Sequence, residues 1–149
     1  MTILKIILIR VIFYYIGMTL MFPYMMLINI TDFWNYKLRN TSVQWNSSDS
    51  SLNSLQMNFP SYLAITGNVP LALFVILSAI WGYKIHLRTR LLVCSIGMVI
   101  CFIVITFFVS INTDQNQDLL FIIMLVINTI YSSINAIAQV CEFLIFNFL

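Results

Sequence analysis

The sequence predicts an all-α integral membrane protein with four transmembrane helices. Four stretches, Val11–Thr31, Pro60–Tyr83, Leu91–Thr113 and Leu119–Cys141, contain no Asp, Glu, Lys or Arg. Each is about 20 residues or slightly longer, which at roughly 1.5 Å per residue crosses a hydrocarbon core about 30 Å thick. The composition agrees: 61% of residues are hydrophobic and 8% charged, with a mean hydropathy of +0.96, where a soluble domain carries about a quarter charged residues. The 149 residues are expected to form a single membrane domain, with spans near 11–31, 60–83, 91–113 and 119–141 and connections at 32–59, 84–90 and 112–118.

The first span follows Lys5 and Arg10, which with the apolar run resemble the start of a signal peptide. The run passes into Met25-Met26-Leu27-Ile28-Asn29 without a small-residue cleavage site, so a retained helix is expected. The connection 32–59 is long, polar and rich in Ser and Asn, and is expected to lack regular structure. It carries two acceptor sequons for N-glycosylation, at Asn40 and Asn46, and a third match at Asn29 lies too close to the span for modification. Lys84, His86, Arg88 and Arg90 fill the connection 84–90, whereas 112–118 holds Asp114 and Asp118 and no basic residue. With Lys5 and Arg10 added, the basic residues outweigh Lys37 and Arg39 and place the N-terminus and 84–90 in the cytoplasm. The loops 32–59 and 112–118 then face outside, where sequons would be modified, and the C-terminus returns to the cytoplasm.

Cys94, Cys101 and Cys141 lie within or at the ends of apolar segments and none lies in 32–59, so they read as buried small hydrophobes without a structural disulfide. Four-span proteins such as tetraspanins and claudins, which need outer-loop cysteines, are disfavoured.

The fourth span carries the clearest pattern. Asn128, Ser132, Asn135, Gln139 and Glu142 are spaced to fall on one helical stripe, with Ile127, Ile130, Ile134, Ile137 and Phe143 on other faces. That stripe must avoid lipid, because an unpaired polar group in hydrocarbon costs several kcal/mol. Adhesion between helices and the lining of a watery solute path demand the same pattern, and both remain open. Glu142, at the cytoplasmic end, reads as an exposed interfacial carboxylate, with a proton relay as the alternative. Pro23 and Pro70 lie near mid-span in the first and second helices and are expected to interrupt both at one depth, beside Gly17, Thr19, Gly67 and Asn68. Solute sites of transporters occupy this depth among interrupted helices, and ordinary proline kinks are the alternative. No catalytic grouping, metal motif or phosphate loop is present, His86 stands alone, and neither an enzyme nor a cofactor is expected.

Particular residues resemble those of equilibrative nucleoside transporters. Gly17-Met18-Thr19-Leu20-Met21-Phe22-Pro23-Tyr24, followed by Asp32-Phe33-Trp34, is similar to that family's first helix, with its Gly-x-Gly-Thr-Leu-Leu-Pro-Trp-Asn segment. Val69-Pro70-Leu71 and the basic run Lys84 to Arg90 follow in similar order, and Asn135-Ala136-Ile137-Ala138-Gln139 with Phe143 resembles Gly-Ala-x-x-Gln-x-Ser-Leu-Phe-Gly. The sequence departs from those patterns at Thr19, Met25, Asn135, Cys141, Glu142 and Leu144.

The resemblance implies facilitated diffusion of nucleosides, or of nucleobases, by alternating access in a major-facilitator-like fold, of which this chain matches the first part of the N-terminal half. Tyr24, Ile28, Asn68, Leu71 and Gln139 would then face the solute, with Asn135 a turn from Gln139. An aromatic ring can stack on a base and an amide can bond its edge. The family has about eleven spans with the solute held between two halves. The chain is therefore expected to be a fragment or truncated product, partnered by the remaining helices or by further copies, in the plasma membrane. A four-span structural or interaction protein without transport is the alternative.

Overall fold

The computed structural model describes residues 7–8, 11–12, 14–15, 17–18, 22, 25, 29–39, 52–111 and 115–148. The ordered elements are a short helix α1 (Thr31–Lys37), a long helix α2 (Ser54–Trp81), a 3-10 turn (Gly82–Lys84), and the helices α3 (Leu87–Ser110) and α4 (Gln117–Phe148). The described residues from Ile7 to Asn29 are also helical. α2, α3 and the segment Gln117–Ile145 of α4 are each long and apolar enough to cross a bilayer. The chain is thus an all-α membrane protein with three such helices among the described residues, and most of the expected first span lies outside them.

Each helix buries one stripe at helical spacing. Gln56, Phe59, Leu63 and Gly67 line it on α2, and Arg90, Cys94, Met98 and Cys101 line it on α3. Many other apolar side chains of these helices, such as Ile76, Val93 and Ile103, are exposed, as lipid allows and water does not. α4 is the central helix. It packs along both α2 and α3, and 44% of its apolar stretch is buried, against 17% for each neighbour. At its contact with α3, a Cβ on Gly97 would lie 3.0 Å from Ile134 Cδ1, so glycine sets how closely the backbones approach. All three cysteines are free and buried.

Three expectations are corrected. The connection 32–59 is not wholly irregular: α1 forms within it, and α2 begins at Ser54, ahead of Pro60. The reason is packing. Trp34 and Leu38, one turn apart, join the buried core with Phe59, and the Trp34 and Phe59 rings sit 5.1 Å apart. Gln56 fixes the start of α2 by accepting the Asn53 N–H at 2.6 Å and donating to the Asn35 carbonyl at 2.6 Å. Second, α2 runs unbroken through both Pro60 and Pro70, so Pro70 does not interrupt it, although each proline removes one backbone hydrogen bond. Pro23 lies outside the described residues. Third, Arg90 is not part of a solvated basic connection. It lies in the first turn of α3, buried, and its guanidinium turns back to donate to the Gly82 carbonyl at 2.8 Å and to the Ser78 hydroxyl. The guanidinium thus ties the start of α3 back to the end of α2, at a Gly82 carbonyl that also accepts the Ile85 N–H.

Candidate functional site

The polar stripe of α4 is where the geometry departs from simple packing. Asn128, Ser132 and Asn135 are each 4% exposed or less, so this face is shielded from lipid. The stripe divides into two parts with different chemistry.

Its first part is a helix-to-helix fastening. Asn128 Nδ2 donates to the Leu63 carbonyl at 2.9 Å and to Thr66 Oγ1 at 3.0 Å. The Thr66 hydroxyl in turn donates to the Tyr62 carbonyl at 2.8 Å. Thr66 is four residues before Pro70, so its carbonyl lacks the partner that a non-proline residue there would supply. Asn128 therefore grips α2 at the turn that Pro70 weakens.

Its second part is unsatisfied. Asn135 Oδ1, Gln139 Nε2 and Glu142 Oε1 are buried without a hydrogen-bond partner among the described residues. Each such group costs about 1–3 kcal/mol when nothing meets it, and more when charged. Three of them in succession distinguish this half of α4 from the half that Asn128 bonds to α2. Glu142 is half-buried rather than an exposed interfacial carboxylate. Gly17 lies against it: a Cβ there would be 3.6 Å from Glu142 Oε2. A methyl group at Gly17 would already be in van der Waals contact with the carboxylate.

The other residues implied by the resemblance are placed unevenly. Tyr24 and Ile28 lie outside the described residues, as do Asn40 and Asn46. The contacts Phe59 to Phe121 and Leu63 to Asn128 show that α2 and α4 run in the same direction. At about 1.5 Å per residue, Leu71 falls close to the depth of Asn135, with Asn68 about a turn nearer the Ser54 end. Leu71 is half-buried, whereas Asn68 is exposed on a face beside the one that packs on α4. Asn135 and Gln139 share the unsatisfied stripe. Sequence reasoning missed Thr66 and Leu63 as the partners of Asn128, because nothing local connects positions so far apart.

The chain is similar to equilibrative nucleoside transporter 3 of Rattus norvegicus. The two are 26% identical over 105 residues, which is 70% of this chain and 22% of that protein. The chain thus spans about a fifth of the length of this curated relative. No family model matches, and no solved structure matches significantly.

Proposed function

We propose that this chain supplies membrane helices of a facilitative nucleoside carrier, with the Asn135 and Gln139 face of α4 lining the solute path. The observation that carries this reading is the run of buried polar atoms on that face that have no partner among the described residues. An amide oxygen and an amide nitrogen a turn apart can accept from and donate to a base edge. The similarity to a protein named as a nucleoside transporter supports the same solute class. Nucleobases are the smaller solutes that would use the same contacts. Tyr24, Ile28, Asn68 and Leu71 complete the proposed lining from the first two spans.

Few helices cannot enclose a pore, so the proposed partners are the remaining helices of a longer carrier or further copies of this chain. We place both ends and the basic turn with Lys84, His86 and Arg88 in the cytoplasm, and Asn40 and Asn46 on the outer side of the plasma membrane as glycosylation sites. The protein in this reading is a carrier and not a catalyst, and it needs no cofactor.

The competing reading, a structural membrane protein whose stripe only joins helices, draws on the bonds from Asn128 to α2. Thiol labelling separates the two. In a variant lacking the native cysteines, Asn135→Cys in intact membranes should react with a small aqueous thiol reagent and be protected by excess nucleoside. An unreactive Cys at this position would favour the dry interface. Uptake of radiolabelled nucleoside into cells expressing the chain is the direct test, and uptake equal to that of untransfected cells would count against transport by this chain.

A further inference from the structure

The unsatisfied stripe extends beyond the amides that the resemblance assigns to the solute, and its last member is chemically different. From Asn135 to Glu142 the stripe rises about 10 Å along α4, comparable to the long axis of a nucleoside. Gln139 lies between, so a solute held at its base by Asn135 and Gln139 would bring its other end to Glu142. Glu142 Oε1 is buried without a partner among the described residues, and Oε2 lies beside Gly17. Among the described cations, Arg90 is bound to Gly82 and Ser78, and Lys84, His86 and Arg88 are exposed. A carboxylate offers only acceptor sites, about four of them. The group it fits is a pair of neighbouring hydroxyls, each donating to one oxygen, the contact that acidic residues make with ribose in dinucleotide-binding folds.

We propose that Glu142 is a further solute-contacting residue, which accepts hydrogen bonds from the vicinal hydroxyls of the ribose and so selects ribonucleosides. This rests on the nucleoside reading above. Solute donors replace what the closed helix packing does not supply.

The test is equilibrium binding of adenosine and of 2′,3′-dideoxyadenosine to the chain in its transport-competent assembly, purified in lipid nanodiscs. The wild-type chain should bind adenosine about tenfold or more tightly than the dideoxy compound, as expected when hydrogen bonds to a charged group are lost. Glu142→Ala should abolish that preference and Glu142→Gln should reduce it, both leaving dideoxyadenosine binding unchanged. That retained binding also shows that the variants are folded. A wild-type chain that binds both compounds equally, or variants that keep the preference, would overturn the ribose contact while leaving the nucleoside reading intact. Loss of both ligands together in both variants would assign Glu142 to packing instead. Displacement of adenosine by an organic ammonium ion in the wild type but not in Glu142→Gln would give the carboxylate to a cation and also overturn it. No adenosine binding by the wild-type chain would remove the nucleoside reading and this inference together.

Discussion

Asn128 in α4 holds Thr66 in α2: the amide nitrogen lies 3.0 Å from the threonine hydroxyl and 2.9 Å from the Leu63 carbonyl, at the turn just ahead of Pro70. One side chain thus joins two membrane helices and reinforces one of them where proline has taken a hydrogen bond away. In lipid, where apolar surface does not by itself drive helices together, such a polar contact counts for specificity as well as energy.

Asn128→Leu should keep the volume and lose both bonds. Interhelical hydrogen bonds in membranes contribute about 1 kcal/mol, so a loss of about that size is expected in detergent unfolding followed by circular dichroism. Thr66→Val should give a smaller loss, because the Leu63 carbonyl still accepts from Asn128. Equal losses would place the energy in the hydroxyl.

Arg90→Ala should destabilise more than Arg88→Ala. Arg90 is 6% exposed and donates to Gly82 and Ser78 at the end of α2, whereas Arg88 is exposed. Losing hydrogen bonds from a charged donor costs about 1.5–3 kcal/mol, and an exposed charge close to zero. Gly82→Ala should reproduce part of the Arg90 effect, since the added Cβ would overlap the guanidinium. Thermal unfolding of the three variants side by side checks the order.

Gln56→Ala should loosen α1. The Gln56 amide bridges the Asn53 N–H and the Asn35 carbonyl, and α1 is further tied by Lys37 Nζ donating to the Ile111 carbonyl at 2.6 Å. Faster hydrogen exchange confined to residues 31–39 and the first turn of α2 is the expected outcome. Unchanged exchange there would show that the aromatic packing of Trp34 on Phe59 holds α1 alone.

Gln139→Ala should lower nucleoside uptake and apparent affinity in a transport-competent form of the protein, by about tenfold for the loss of a buried hydrogen bond to solute. Ile130→Ala, on an exposed face of the same helix, should leave uptake unchanged. Unaltered uptake and affinity in Gln139→Ala would remove that residue from the proposed path.

The residue order alone determined that this protein is helical and lies in a membrane, because long charge-free runs leave the backbone no partner in lipid except itself. It also determined which side of α4 turns inward, since the spacing from Asn128 to Glu142 is a property of the helix and needs no neighbour. Tertiary structure decided the rest. Whether an inward amide is glue or an unmet group depends on what stands opposite: Asn128 finds Thr66, while Asn135 and Gln139 keep polar atoms that no described residue meets. The fates of Arg90 and Pro70 were equally hidden, because a basic residue beside a loop becomes a buried cap only when a helix end arrives over it, and a proline breaks a membrane helix only when nothing nearby steadies the turn. These outcomes depend on contacts between residues far apart in the chain, and a local pattern of side chains holds no record of them.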